Sequence, residues 1–371
     1  MDLAACYIVK NGAKDLERSL RSLALAVNEL IVVDTGSTDD TVRVAESFGA
    51  TVCHFSWVDH FAKARNFALE QVQSPWLIFL DADEYFRHPK EVRPALLEKI
   101  TAEPDCDVIM LIRYNIDPDA KTSGAMDISP RVLRNTPAVR YSGRIHEMPG
   151  RTDGRLKVSY ADERLALNHT GYSRRNSAKK INRNIALIMQ DIKENGHTPF
   201  HDYHLAQEYF GRRDYQKALS HAMEALDSDM ILVGGQGELY HLALESMHQL
   251  NLNFADRLTL ADVAIRELPE LPEFYAERGM VLGGMGRLQE AKASFETAMG
   301  IFDRSPVNYK EASYFTPRVA AIVCKKLAEL CEMLGDRSNA EKWLARAFTL
   351  NPRTSGLEEL QERLLKREED I

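Results

Sequence analysis

The sequence lacks the features that place a protein in a membrane or outside the cell. No apolar run approaches the length of a membrane-spanning helix, and the N-terminus has no basic start followed by a long apolar segment and a cleavage site. Five cysteines are present, and none of them falls in a C-x-x-C spacing. We therefore expect no membrane span, signal peptide, disulfide framework or zinc knuckle, and we predict a reducing, cytoplasmic environment.

Basic residues are also outnumbered by acidic ones, 47 to 55. The 371 residues carry a formal net charge of −8, which argues against non-specific binding to nucleic acid. An acidic protein needs a local cation to hold a phosphate-bearing ligand. Hydrophobic residues make up 44% of the chain, and this length and composition predict two domains with real cores.

The first half alternates between short apolar runs and amphipathic stretches. This alternation predicts a mostly parallel sheet with helices on both faces, and such sheets bind ligands at the carboxyl ends of their strands. Asp34 and Asp81 each stand at such an end. The predicted strands are Leu3–Val9, Glu29–Asp34, Ala50–Phe55 and Trp76–Leu80, followed by three further runs, some of them antiparallel, within Asp107–Asn115, Pro130–Asn135 and Val139–Glu147.

The second half has no strand pattern and resembles tetratricopeptide repeats. Small residues recur where paired helices touch, in units of about 34 residues. Three units cover Tyr203–Asp227, Tyr275–Phe302 and Leu327–Pro352, and a weaker one lies near Leu244. Roughly 15 extra residues intervene around Pro306 to Pro317. An ordinary helical domain is the alternative.

One strand runs directly into four residues that include three acids, Asp81-Ala82-Asp83-Glu84, which we call the acidic turn. Carboxylates this close repel one another, so a positive group should lie at the strand end or the acids should be solvated. Three interpretations are open: a solvated loop, a phosphatase of the haloacid-dehalogenase type, or a divalent metal that holds a diphosphate. The phosphatase motif usually opens its domain and is followed by Thr or Val, whereas here three strands precede it and Tyr85 follows Glu84. Carboxylate oxygens suit Mg²⁺ or Mn²⁺.

The stretch IVVDTGSTDDT favours the metal. Asp34 ends a strand, and a Gly-Ser turn leads to a predicted helix start at Thr38 or Asp39. Helix N-termini usually attract phosphate, but Asp39 and Asp40 would repel it here. This loop should therefore hold a neutral part of a nucleotide through Asp34, which leaves the phosphates to a metal at the acidic turn. The exit of the first strand, Val9 to Asn11, would line the same cleft.

Residues 3–86 resemble a family 2 glycosyltransferase of the GT-A fold. The resemblance lies in YIVKNGAKDLERSLRSL, ELIVVDTGSTDDTVRVAESFGA and FAKARNFALEQVQSPWLIFLDADE, and it continues more loosely to about Tyr172. With repeats in its second half, the chain is similar to bacterial peptide- and protein-modifying members, including the bacteriocin S-glycosyltransferases. We therefore expect a GT-A α/β domain, with a Rossmann-like mixed sheet and helices on both faces, over residues 1–172. A linking helix over 173–198 and an all-α tetratricopeptide-repeat domain over 199–371 should follow.

The resemblance also implies roles for site residues. It assigns Asp34 to the nucleoside and Asp83 to the metal, while Asp81 would contact the ribose or the metal through a bound water. Arg65 and Asn66 would hold the donor side of the cleft, with a solvated helix face as the alternative. A sugar-phosphate nucleotidyltransferase, which shares this fold class, opens with a Gly-rich loop carrying Arg and Lys, and this sequence has no such loop.

An inverting transfer also needs a base that takes the acceptor's proton. The segment YSGRIHEMPG offers Glu147 as the first candidate and His146 as the second. Many family members use an Asp in a Glu-Asp pair that is absent here, and an ion pair of Glu147 with Arg144 or Arg140 is the alternative. His169 ends the last predicted strand, where related enzymes often add a histidine to the metal.

The resemblance therefore implies an inverting glycosyltransferase, and the acidic turn predicts that it depends on a metal. The metal would be Mn²⁺ or Mg²⁺, the donor a nucleotide-sugar and most simply a UDP-sugar, and the acceptor a peptide or protein side chain. The repeats are predicted to select that acceptor, to form a homodimer, or to do both. The alternatives are a glycan or lipid acceptor, and a non-catalytic scaffold that binds partners through its repeats.

Overall fold

A computed structural model describes residues 1–117, 122–170, 177–228, 235–304 and 314–366. The chain divides into two compact units, Met1–Arg212 and Arg213–Ile371. The predicted boundary between residues 172 and 173 lies outside the described residues, as does part of the segment around Pro306 to Pro317. No helix within the described ranges is long and apolar enough to cross a membrane.

The first unit is built on a nine-stranded mixed sheet in the order β3-β2-β1-β4-β7-β6-β11-β5, with β10 beside β6. Pairing within β3-β2-β1-β4 is parallel, whereas β7 runs antiparallel to both β4 and β6. A separate hairpin is formed by β8 and β9. The strands are β1 (Leu3–Val9), β2 (Glu29–Asp34), β3 (Thr51–His54), β4 (Trp76–Leu80), β5 (Glu84–Phe86), β6 (Val108–Asp117), β7 (Thr122–Arg134), β8 (Val139–Ser142), β9 (Met148–Arg151), β10 (Val158–Tyr160) and β11 (Leu167–His169).

Helices cover both faces of this sheet because the side chains of its strands alternate between two cores. In β4, for example, Ile78 packs into one core and Phe79 into the other. The first core also receives residues of α1, α2 and α4, and the second receives residues of α3. The helices of this unit are α1 (Ala13–Leu23), α2 (Thr41–Ser47), α3 (Phe61–Gln71), α4 (Val92–Ala102), α5 (Ser177–Asn195) and α6 (Pro199–Gly211).

The second unit is helical throughout its described residues and folds as antiparallel pairs. Its buried surface is rich in alanine, which lets paired helices approach closely. Gly279 shows how close this approach is, because an added Cβ there would lie 2.7 Å from the ring of Phe295 on the next helix. The helices are α7 (Tyr215–Leu226), α8 (Gln236–Gln249), α9 (Phe254–Glu267), α10 (Pro272–Gly284), α11 (Leu288–Arg304), α12 (Pro317–Met333), α13 (Arg337–Leu350) and α14 (Leu357–Lys366).

The predicted fold class is confirmed: a mixed α/β sheet precedes helices paired as in tetratricopeptide repeats. One boundary was wrong, because α2 begins at Thr41 rather than at Thr38 or Asp39. The carboxylate of Asp39 accepts the backbone N–H of Thr41, and its other oxygen accepts that of Ala13 at 3.3 Å. Asp39 thus supports the first turns of two helices from outside them.

Candidate active site

The carboxyl ends of β1, β2 and β4 bring the predicted ligand-binding residues to one edge of the sheet. In the parallel register Val9 lies beside Asp34, and Tyr7 lies beside Leu80, the residue before the acidic turn. An added Cβ on Gly12, which follows β1, would lie 3.3 Å from Ala82 Cβ. The loop after β1 therefore lies against the acidic turn.

Asp34 is buried and organises the loop that follows it. Its carboxylate accepts the backbone N–H groups of Gly36 and Ser37 at 3.1 Å, and His54 Nδ1 lies 3.4 Å away. Burial opposes ionisation, but these hydrogen bonds outweigh it and lower the pKa of Asp34. The ionised carboxylate of Asp34, a hydrogen-bond acceptor, is therefore held at the end of β2, where the nucleoside was predicted to bind.

The exit of β1 is tied to the same loop. The Val9 carbonyl accepts the backbone N–H and the hydroxyl of Thr35, at 2.9 and 3.1 Å. Asn11 has a φ of 53°, and its Oδ1 accepts the N–H of Thr38 at 2.7 Å while its own N–H donates to Ser37 Oγ. Both residues lie where the sequence predicted a cleft wall.

The acidic turn is balanced chiefly by arginine. Asp81 lies 3.1 Å from Arg65 Nη2 and 2.7 Å from Arg131 Nη2. Burial raises the pKa of Asp81, but Arg131, Arg65 and Arg113 outweigh it and hold the pKa well below its usual range. Glu84 is completely buried, accepts Arg131 Nη2 at 2.6 Å and Arg113 Nη1 at 2.9 Å, and accepts the backbone N–H of Asp81 at 3.1 Å.

These contacts continue into a row of ion pairs in which acids and bases alternate, which we call the alternating cluster. Asp127 extends it at one end by accepting Arg113 Nε at 2.8 Å, and Glu147 ends it at the other by pairing with Arg65 Nε. Counted over the described residues, its four carboxylates and three guanidiniums leave one negative charge, and Asp83 beside it adds another. The order is Glu147, Arg65, Asp81, Arg131, Glu84, Arg113, Asp127.

Asp83 is the acid of the turn that faces a histidine. Its Oδ2 lies 3.5 Å from His169 Nε2, because β11 pairs with β5 and brings His169 opposite Glu84. His169 Nδ1 lies 2.8 Å from Asn115 Oδ1 and donates to it, so Nε2 is the ring nitrogen that faces Asp83. With a proton, Nε2 donates to Asp83, and without one it could offer its lone pair to a cation instead. The backbone N–H of Thr170 donates to the Asp83 carbonyl at 3.1 Å and fixes the two segments together.

This pair fits a hard divalent cation. Burial opposes ionisation of Asp83, but the contact with His169 outweighs it and lowers its pKa. The described residues contain no cluster of three or more potential ligands, so a cation here would complete its coordination with water and ligand oxygens, as Mg²⁺ commonly does. The two negative charges left over by the alternating cluster and Asp83 equal the charge of one such ion.

Arg65 and Asn66 are adjacent on α3 but make different contacts. Arg65 is buried, its guanidinium lies 4.4 Å from the Phe79 ring centroid, and its Nη1 has no hydrogen-bond partner in the part of the chain that the structure describes. An orphaned donor of this kind suits a ligand oxygen. Asn66 instead pairs with the backbone of Tyr141, donating at 2.9 Å and accepting at 2.8 Å, and so fixes α3 to β8.

Glu147 and His146 diverge at the end of the loop between β8 and β9. Glu147 pairs with Arg65, and not with Arg144 or Arg140, which were considered as the alternative to its role as a base. Arg144 pairs with Glu194 of α5 instead, because its loop packs against that helix. His146 has a φ of 53°, and its Nε2 lies 3.1 Å from Glu208 of α6. Of the two candidates, Glu147 is therefore the one that joins the alternating cluster.

Two parts of the chain match models of known protein families. Residues 5–156 match the family model described as glycosyl transferase family 2, and residues 272–302 match a tetratricopeptide repeat model. The amino-terminal part of this chain is a family 2 glycosyltransferase domain. The acidic turn, Asp34 and Arg65 all lie within it, while His169 lies just beyond the matched residues.

Two named relatives each match one of these two descriptions. A TPR repeat-containing protein of Synechococcus elongatus is 28% identical over 68% of this chain and 64% of its own length. The prophage-derived glycosyltransferase SunS of Bacillus subtilis is 28% identical over 50% of this chain and 44% of its own length. The chain thus spans less than two thirds of the length of these relatives. Among solved structures, the TPR protein YrrB is similar at 16% identity and a TM-score of 0.39, over 50% of this chain and 86% of its own.

The glycosyltransferase domain contains charged residues that the sequence did not reveal. Arg113, Arg131 and Asp127 lie on the antiparallel strands β6 and β7, and the reasoning from sequence gave none of them a role. Arg131 stands within a predicted strand beside apolar neighbours, where a charge is costly unless it is paired. A buried arginine in such a strand was a usable sign that the acids of the turn had a partner.

Proposed function

We propose that this protein transfers a sugar from a nucleotide-sugar to an acceptor, with inversion and with the help of a divalent cation. The observation that carries the proposal is the Asp83–His169 pair, which lies where β4 ends in a family 2 glycosyltransferase domain and leaves the Asp83 side chain 30% exposed. A UDP-sugar is the first candidate donor. Asp34, Val9 and Asn11 would contact its nucleoside.

Asp83 and His169 are the residues that would hold Mn²⁺ or Mg²⁺. Such a cation supplies Lewis-acid stabilisation of the charge on a leaving diphosphate. Arg65 would offer its Nη1–H to the donor, while Asp81, already neutralised by two arginines, would position Arg65 and contact the ribose or a water. These residues orient the donor before reaction and need not move during it.

Glu147 is the proposed base, and His146 remains the second candidate. A base must lie on the acceptor side and accept its proton. The placement of Glu147 at one end of the alternating cluster supports this choice, since Arg65 would then contact both the donor and the base.

The proposed acceptor is a side chain of a peptide or protein. Stacked helix pairs present extended surfaces that suit polypeptides, and this chain carries several such pairs. A glycan or lipid acceptor and a non-catalytic scaffold are the alternatives, and a homodimer formed through the helices remains part of the proposal. Five free thiols, four of them buried, support a reducing cytoplasm as the site of the reaction.

A screen of nucleotide-sugars by thermal shift, with and without Mn²⁺, tests the proposal. A ligand that binds the folded state raises the melting temperature by mass action, so one donor class should raise it only when Mn²⁺ is present. The same donor should be hydrolysed slowly, and chelation should stop hydrolysis. No shift and no hydrolysis with any nucleotide-sugar would favour the scaffold.

A further inference from the structure

A pocket in the helical unit is lined by one face of each of three helices. Leu244 of α8, Phe274 of α10 and Val323 of α12 are buried and supply apolar walls. Ile322 of α12 also lines the pocket while it is 38% exposed, so the pocket opens to solvent. Every wall of this α8–α10–α12 pocket belongs to the same compact unit.

The size of the pocket limits what it can hold. It encloses about 160 Å³, which is below the roughly 300–1,000 Å³ typical of sites for whole small molecules. Its volume and apolar walls suit one aliphatic side chain inserted from a longer ligand. A nucleotide-sugar is too large and too polar for it.

Acids line the same pocket. Glu277 pairs with Arg257 at 2.5 Å, and Glu273 accepts the backbone N–H of Tyr314 at 3.1 Å. Glu245 accepts a hydrogen bond from the neutral amide of Gln249 at 2.7 Å, and no lysine or arginine among the described residues forms an ion pair with it. Glu245 and Glu277 therefore place two carboxylates on the pocket against the one cation that Arg257 supplies.

A histidine completes the lining without offsetting this charge. The ring of His241 stacks on that of Tyr314 with 4.2 Å between centroids and 9° between planes. Burial lowers the pKa of His241, so the ring is neutral near neutral pH. Two flat aromatic rings and an excess of carboxylates thus surround an apolar space.

We propose that the α8–α10–α12 pocket binds a peptide segment in which an aliphatic side chain stands beside a lysine or arginine. The aliphatic group fills the apolar space, and the cationic group lies against Glu245. Charge complementarity selects a basic neighbour and rejects an acidic one. The inference rests on the proposed function for one point only, that the bound peptide is the acceptor.

Panning a phage-displayed library of random dodecapeptides on the full chain tests the binding. Wild-type protein should enrich sequences with a Leu, Ile or Met next to Lys or Arg. Glu245→Lys should shift the enriched neighbour to Asp or Glu, whereas Glu224→Lys, the same change at an exposed position on α7, should not. An altered preference cannot arise from unfolding.

Titration calorimetry with the enriched wild-type peptide gives the magnitude. Glu245→Lys should weaken binding by roughly tenfold or more, as expected for a like charge in place of an opposite one, and Glu224→Lys should leave it unchanged. Enrichment of acidic sequences, absence of any shared motif, or equal affinity for both variants would overturn the proposal.

Adding the donor separates this inference from the proposed function. Binding is measured without nucleotide-sugar, so a lack of donor hydrolysis contradicts the proposed transfer and leaves the pocket result intact. When the donor is hydrolysed, a bound peptide carrying Ser, Thr and Cys should receive the sugar. Binding without transfer under those conditions would overturn the acceptor role.

Discussion

Asp83 and Glu84 are neighbours in the acidic turn, yet their surroundings give them opposite tasks. The side chain of Asp83 is 30% exposed and faces His169, whereas Glu84 is completely buried between two arginines. A group that binds a ligand must keep open coordination positions, and a group that neutralises buried cations must not. Conservative substitutions at the two positions should therefore separate binding from stability.

Asp83→Asn should abolish Mn²⁺-dependent binding of UDP and sugar transfer. The substitution removes a charged oxygen ligand while keeping the size of the side chain. The free energy of unfolding should change by less than about 1 kcal/mol, as is usual for a partly exposed ion pair. Calorimetric titration with UDP and Mn²⁺ measures the binding, and wild-type affinity there would remove Asp83 from the metal site.

Glu84→Gln should behave in the opposite way. Removing one partner of a buried ion pair costs about 3 kcal/mol, the lower end of the usual range, because Arg131 retains Asp81 and Arg113 retains Asp127. Denaturant unfolding of both variants gives the comparison. An unfolding free energy equal to that of wild type would mean that Glu84 is not needed to neutralise the arginines.

Glu147→Gln should lower turnover by roughly 10²-fold or more with a hydroxyl acceptor, the usual range for loss of a general base. Donor affinity should be nearly unchanged. Glu194→Gln is the matched control, since it removes an ion pair to Arg144 on the same loop without touching Arg65. An equal loss of turnover in both variants would assign the effect to the loop rather than to a base.

At the scale of elements, the strands and helices that leave a clear hydrophobic pattern could be predicted from the sequence. The limits of β1, β2 and β4 were predicted to the residue because each holds a short apolar run that ends abruptly at polar or charged residues or, before Trp76, at Pro75. The three-residue strands β5 and β10 left no period to detect, since pairing with β11 and β6 defines them. Arg113 and Arg131 of the alternating cluster were missed for a related reason: only the antiparallel register of β6 and β7 brings them to the acids.

Helix packing gives a prediction at this scale. Gly279→Ala should lower the free energy of unfolding by about 1–3 kcal/mol, the usual cost of overpacking, because its Cβ would meet the Phe295 ring at 2.7 Å. Gly300→Ala on α11 meets nothing within 4 Å and should raise it by about 0.5–1 kcal/mol through helix propensity. Chemical unfolding compares the two variants, and stabilisation by both would show that the helices separate readily at Gly279.

At the scale of the whole molecule, the compact unit that contains the glycosyltransferase domain extends to Arg212. It was predicted to end at residue 172, with a linking helix to 198, but α5 and α6 contact the loop that carries His146. Arg144 of that loop pairs with Glu194 of α5, and His146 stacks on His204 of α6 at 4.0 Å. Asn184 joins the two helices by donating to Glu208 at 2.7 Å. The domain limits given by sequence stay a prediction, and truncation tests them.

A chain ending at Arg212 should melt cooperatively and retain slow hydrolysis of the donor. A chain ending at Gly196 lacks α6, and its melting midpoint should be at least about 4 °C below that of the chain ending at Arg212. At this size, a loss of about 1 kcal/mol in the free energy of unfolding lowers the midpoint by about 2–4 °C. Calorimetry gives the midpoints, and light scattering must show that neither chain aggregates. Identical midpoints would mean that α6 contributes nothing to the first unit.

The alternating cluster should also restrict which substitutions these positions tolerate in evolution. Because each interior member contacts two neighbours of opposite charge, loss of any one charge leaves two partners unbalanced. A substitution at one position should therefore persist in a lineage only when a neighbouring position changes as well. Among related sequences, Arg65, Asp81, Arg131, Glu84 and Arg113 should be inherited as a block or replaced as a block, while Asp83, which stands outside the row, should vary independently of it.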